Sequence, residues 1–195
     1  MSSSRILVIN HLTLDGVMQS PGRPDEDTRD GFSHGGWAVP GNDEQMLGAV
    51  GERMARPGRG LLLGRRSYEE MLTSWNAQGG PFKDALNAAP KYVASASSAT
   101  RLAWPNSTLL HGDIPAAVAD LKQTVAGDLV IMGSGQLIRS LLPHRLIDEY
   151  LLMIHPLVLG SGRRLFDHDD PLTTLRLRSS VATSTGVILA TYEPG

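Results

Sequence analysis

The sequence predicts an α/β fold: a mixed, mostly parallel central sheet of about eight strands, flanked by helices and finished by a C-terminal antiparallel hairpin. Three observations predict it. Short runs rich in Val, Ile and Leu recur with turn residues on both sides, as buried strands do. Stretches of helical period separate the early runs, the alternation that implies parallel crossover units. The last two runs are separated only by Ser184 and alternate apolar with polar residues, which reads as a hairpin.

In chain order, the strands are expected at Arg5–Asn10, Gly60–Gly64, Lys91–Ser95, Ser107–His111, Asp128–Gly133, Asp148–Leu159, Thr174–Thr183 and Thr185–Glu193. Helices are expected at Asp43–Arg56, Ile114–Val125 and Gln136–Leu142. In the first, Met46, Leu47, Val50 and Met54 recur at three- and four-residue steps, with Asn42 or Asp43 as a cap. Another helix opens after Gly64. The long stretch from Leu14 to Asp43, rich in Gly and Pro, is a loop of a length that usually carries function. Gly79-Gly80-Pro81 reads as an ordinary surface connection, and no repeat or linker divides the chain. One domain over residues 1–195 is expected.

Composition narrows the function. The chain is 41% hydrophobic and 19% charged, the balance of a chain that buries a core. Its formal charge of -2 gives no electrostatic case for nucleic acid or an anionic membrane. With no cysteine, thiolate chemistry and Cys-ligated metals are excluded. Asp167-His168-Asp169-Asp170 has metal-ligand residue types, but neighbours in one loop rarely converge on an ion, so no metal is expected. The first apolar run, Ile6–Ile9, is too short for an export signal, and nowhere do about 18 apolar residues run together. A cytoplasmic protein acting on a small molecule is expected.

Three segments carry candidate chemistry. Val130–Ile138 passes from an apolar strand through Gly133-Ser134-Gly135 straight into a helix, so bare backbone and free N–H groups suit a diphosphate. The third glycine of a dinucleotide fingerprint is missing, because Ile138 stands there. Leu61–Glu69 likewise ends a strand at Gly64 and sets Arg65, Arg66 and Ser67 at a helix start, where a phosphate monoester fits. His11–Met18 opens the long loop, with Asp15-Gly16 either a tight turn or the hinge of a lid. Each turn alone also has a purely structural explanation.

Taken in order, Leu14–Val17, Leu63–Tyr68, Lys91–Ser95 and Ile131–Gln136 resemble the dihydrofolate reductase superfamily. Asp148-Glu149-Tyr150 and His155–Phe166 make the chain more similar to stand-alone relatives of the riboflavin-biosynthesis (RibD) C-terminal reductase domain. The resemblance runs from Ile6 to Tyr192 and implies a dihydrofolate-reductase-like three-layer fold and an NADPH-dependent reductase. It implies that Gly64, Arg65, Arg66 and Ser67 meet the 2′-phosphate and diphosphate, with Arg65 the better charge. By the same resemblance, Ser95 lies at the adenine-ribose end, while Gly133, Ser134, Gly135 and Gln136 cradle the diphosphate and nicotinamide. The loop from Asp15 and Gly16 covers the nicotinamide, and Trp37 closes against cofactor or substrate.

Dihydrofolate reductases place a carboxylate near the start of the helix after the long loop. Here that position falls on Asn42, with Asp43 one residue later, so the proton donor is open between Asp43, Asn42 and neither; Asp43 also suits a helix cap. Riboflavin relatives bind a phosphorylated substrate through an arginine of this helix region, and Arg53 is the nearest candidate, with Arg56 competing. The chain lacks a deaminase domain, and Glu69-Glu70-Met71-Leu72 replaces the relatives' acidic, proline-containing stretch. The resemblance therefore implies a 5-amino-6-(5-phosphoribosylamino)uracil reductase-like activity, with two alternatives: a nucleotide binder without efficient catalysis, or a weak folate reductase or binder. It also implies a homodimer.

Overall fold

The computed structural model describes residues 4–55 and 58–195. Its strands are β1 (Ile6–Thr13), β2 (Gly60–Gly64), β3 (Lys91–Ala94), β4 (Ser107–Leu110), β5 (Leu129–Met132), β6 (Glu149–His155), β7 (Leu175–Ala182) and β8 (Ile188–Pro194). They form one eight-stranded sheet in the order β4-β3-β2-β5-β1-β6-β8-β7. The first six are parallel, and β8 runs antiparallel to both β6 and β7. The expected mixed α/β sheet with an antiparallel end is present.

Five α-helices cover it: α1 (Glu44–Met54), α2 (Arg65–Gln78), α3 (Gly80–Ala88), α4 (Ile114–Thr124) and α5 (Gly135–Leu141). Because side chains alternate across a strand, β1 feeds two cores. Ile6 and Val8 pack with Val118 of α4 and Leu137, Ile138 and Leu141 of α5. Leu7 and Ile9 pack with Met46 of α1, Tyr68 and Leu72 of α2 and Leu86 of α3. The continuous apolar runs of the sequence are thus explained by burial on both faces.

Several boundaries differ from the sequence reading. β1 runs past Asn10 to Thr13, because β6 keeps pairing alongside it as far as Thr13 with His155. β6 stops at His155, well short of Leu159, where Pro156 offers no N–H to a ladder. The final hairpin turns over residues 183–187 rather than at Ser184 alone: Thr183 N–H reaches Val187 O at 2.8 Å and Gly186 takes a φ of 82°. Gly79-Gly80-Pro81 is no plain connection; Gly79, at φ 77°, ends α2 and Pro81 sits in the first turn of α3. Asp43 caps α1 from outside, Arg56 lies outside the described residues, and Leu47 points to solvent at 61% exposure despite its helical spacing.

The long loop is stitched from within. Buried Gln19 donates from Nε2 to Asp27 O and Arg29 O and accepts Arg163 N–H, and Val17 bridges to Arg164. Polar ties also hold the N-terminal end of the parallel strands. There Glu149 meets Arg5 and Arg53, and Asp148 meets Lys122 at 2.6 Å. No described helix is long and apolar enough to cross a membrane.

Candidate functional site

At the opposite end, the carboxyl ends of the parallel strands, two strand-to-helix turns lie side by side. The β2–α2 turn holds Gly64, Arg65, Arg66 and Ser67; the β5–α5 turn holds Gly133, Ser134, Gly135 and Gln136. They interlock: Gly64 N–H donates to Ser134 Oγ at 2.9 Å, and a Cβ on Gly133 would stand 3.4 Å from Ser67 Oγ. The β5–α5 turn needs left-handed backbone at two consecutive residues, Gly133 (φ 65°) and Ser134 (φ 62°). Glycine takes the first at little cost; serine bears strain at the second, which the Gly64 bond helps to hold. Asn10, the β1 residue just past the last pairing with β5, accepts Gly133 N–H through Oδ1 at 2.9 Å and so fixes the turn.

Helix starts leave N–H groups without internal partners. Aspartates fill that need at α1, where Asp43 accepts Met46 N–H, and at α4, where Asp113 accepts Ala116 N–H. α2, α3 and α5 have no side-chain cap, and of these α2 and α5 start in the two interlocked turns. Two uncapped helix starts therefore lie side by side with two exposed arginines, and that arrangement suits a diphosphate with a further phosphate nearby. Arg65 forms an exposed ion pair with Glu69 one turn along at 2.8 Å, whereas Arg66 is exposed with no ion pair among the described residues. Ser95, just beyond β3, is buried and bonded to Thr100 Oγ1 at 2.7 Å.

Other sequence candidates are placed elsewhere. The Asp15 carboxylate accepts the Thr13 hydroxyl at 2.6 Å and the Gly160 and Leu159 N–H groups, which hold it below the usual carboxylate range. It fastens the start of the loop to the segment after β6, and Gly16 turns the chain beside it at φ 80°. Asp43 is held low in the same way by Met46 N–H and by the Ser184 hydroxyl and N–H. A carboxyl stabilised as its anion is a cap and a poor proton donor. Asn42 is exposed in extended backbone.

Arg53 is carried away from the two interlocked turns altogether. α1 starts at the carboxyl end of the strands and runs about 16 Å to the other end. There Arg53 Nε donates to Glu149 at 2.9 Å and Nη2 to Thr191 Oγ1 at 3.1 Å. Trp37 does reach the carboxyl end: its Nε1 donates to Gln19 O, and its ring meets His155 edge-on at 5.2 Å.

That histidine belongs to a pair the sequence reading missed. His11 Nδ1 and His155 Nε2 lie 2.9 Å apart at the ends of adjacent strands β1 and β6. Burial, aided by its partner, pushes the His11 imidazole down to about 4, and burial lowers His155 as well. The pair is therefore neutral near pH 7. One signal was available: a polar ring near the end of each of two largely apolar runs. Their separation of 144 residues hid the contact.

The family model described as the RibD C-terminal domain matches residues 5–189. Among solved structures, a proposed riboflavin biosynthesis protein of Shewanella sp. PV-4 superposes with a TM-score of 0.65 at 19% identity, over 98% of this chain and 99% of that one. Dihydrofolate reductase of Enterococcus faecalis, solved with NADP(H), superposes with a TM-score of 0.63 at 15% identity, over 98% and 96%. At such identities the likeness is one of fold. The uncharacterised protein YyaP of Bacillus subtilis is 31% identical over 84 residues, 43% of this chain and 45% of YyaP, so the chain spans under half of that curated relative.

Proposed function

The chain belongs to the RibD C-terminal domain family, and on that premise we propose that it is an NADPH-dependent reductase of a small heterocyclic or carbonyl-type acceptor. The observation that carries this is the pair of uncapped helix starts, α2 and α5, locked together by the Ser134–Gly64 bond. The cradle suits the cofactor: its glycines let the two turns and Met18 approach closely, and the helix starts behind them carry no side-chain caps.

In this reading Gly133, Ser134, Gly135 and Gln136 hold the diphosphate with Gly64 and Ser67, Arg65 and Arg66 take the 2′-phosphate, and Ser95 borders the adenine ribose. NADPH bound there supplies the hydride. The chain's part is to fix cofactor and acceptor in contact and to keep water out, a task for Trp37 and the stitched loop. Asp15 and Asp43 serve as fasteners of that loop and of α1, and Arg53 takes no part in binding. The acceptor to try first is 5-amino-6-(5-phosphoribosylamino)uracil, followed by dihydrofolate. A cytoplasmic homodimer completes the reading, supported by exposed Leu177 and Val181 on the edge strand β7.

A second reading, a nucleotide-binding protein without efficient catalysis, is favoured by one observation: the carboxyl nearest the expected acid position, Asp43, is bound up as an anion. Titration with NADPH and NADH, followed by tryptophan quenching, tests both readings. Saturable binding with NADPH preferred is expected. Absence of binding removes both; binding without acceptor-dependent oxidation leaves the second.

A further inference from the structure

From the His11–His155 pair we infer the proton donor of this site: His11 gives the proton to the reduced acceptor, and His155 positions it. The inference rests on the reductase reading and supplies the group that Asp43 and Asn42 do not.

The geometry comes first. Both rings sit on the face of the sheet that carries α1, at the carboxyl ends of β1 and β6. β1 outruns its other neighbour: β5 stops pairing at Met132, opposite Ile9, so His11 lies beyond the last rung on the β5 side. The residue before it, Asn10, holds Gly133 of the β5–α5 turn. His11 is half-buried, whereas its partner is sealed. His155, only 1% exposed, is roofed by the edge of Trp37 and by Gly41, where a Cβ would come within 2.6 Å of Nδ1. The half-open ring is therefore the one an acceptor can touch.

Among the described residues, the carboxylates of the two flanking segments are engaged elsewhere. From β1 and the loop after it, the candidate is Asp15, which is engaged by Thr13, Leu159 and Gly160. From the segment before α1 it is Asp43, engaged by Met46 and by Ser184 of the β7–β8 turn. Burial and, after it, His155 lower the His11 imidazole.

A neutral pair can deliver a proton that water then restores. With the shared proton on His155 Nε2, His11 carries its own on Nε2. As hydride reaches the acceptor carbon, the π pair of the C=N or C=O bond moves to the heteroatom, which takes the proton from His11 Nε2. His155 keeps the shared proton and through it holds the His11 ring in place, while water, which reaches the half-buried His11 ring, returns one proton to His11 Nε2. The acceptor gains one hydride and one proton, and both imidazoles end neutral in their starting tautomers.

The test compares the wild type with His11→Phe, His11→Gln and His155→Phe. NADPH affinity is expected to stay within about twofold in all of them, while acceptor-dependent NADPH oxidation falls about 100-fold in His11→Phe and is partly restored by the amide of His11→Gln. His155→Phe should lower kcat with KM and Tm unmoved. In parallel, imidazole 15N spectra of the NADP+-loaded wild type are recorded with and without 5-amino-6-(5-phosphoribosylamino)uracil or dihydrofolate as probe. A shift of the His11 Nε2 resonance on adding a probe is expected, whether or not that probe is turned over. His11→Phe turning over like the wild type, or a His11 resonance that neither probe moves, overturns the inference and leaves the reductase reading intact. Failure of the wild type to bind NADPH overturns the reading itself.

Discussion

At Gly64 the chain puts two guanidinium groups beside an uncapped helix start, and they are not equivalent. Arg65 is shared with Glu69 in an exposed i,i+4 pair, which costs little to open, while Arg66 has no ion pair among the described residues. Replacing either by Ala should weaken NADPH by about 1.5–3 kcal/mol if it grips the 2′-phosphate, and leave NADH nearly unchanged. Parallel titrations of the two nucleotides check this, and equal losses for both reject the assignment. Asp43→Asn should lower thermal stability, since a helix cap and the tie to Ser184 are weakened, but leave NADPH affinity and turnover in place. Depressed turnover with normal stability would instead make Asp43 the acid.

The histidine pair sets a pH dependence of its own. His11 titrates at about 4 in the folded chain against 6.5 normally. Between these values the unfolded chain binds the extra proton, so stability is fully present above about pH 6.5 and is lost as pH falls toward 4. The amount is on the order of 3 kcal/mol at most. Urea midpoints across that range should slope more gently in His11→Phe than in the wild type, the remaining slope coming from His155. Each ring is visible in the sequence near the end of a strand, but their contact is not, because it is made by the fold and not by the spacing.

At the scale of elements, much of the architecture was legible. Runs such as Leu61-Leu62-Leu63 and Val130-Ile131 leave no polar face, so a sheet covered on both sides follows directly. α3 escaped because glycine and proline mark turns and helix starts alike, and only the positive φ of Gly79 shows which applies. The cradle glycines could be read from their strand-to-helix setting. Arg53 could not be placed, because helical period gives the face of a side chain but not which end of the sheet it reaches. Its ties to Glu149 and Thr191 predict that Arg53→Ala lowers stability by about 1–3 kcal/mol with NADPH affinity unchanged. Chemical denaturation and cofactor titration of one preparation check both halves.

For the whole molecule, the sheet ends on β4 at one edge and on β7 at the other. β7 is exposed over nearly its whole length, with Leu177, Val181 and the neighbouring Ile188 presented to solvent. Such an edge pairs with another strand unless something covers it. Sedimentation velocity should find a dimer for the wild type and a monomer for the doubly substituted Leu177→Lys, Val181→Lys chain, with NADPH binding retained. A monomeric wild type would remove the dimer from the reading.

The polar ties around Asp148 and Glu149 have a further consequence. They gather at the amino ends of the strands, while the cradle and the histidines stand at the carboxyl ends. A scaffold divided in this way lets the residues that face a ligand drift without loosening the clasp beneath them. Acceptor preference can therefore change by substitution at one end of the sheet while the other preserves a foldable chain.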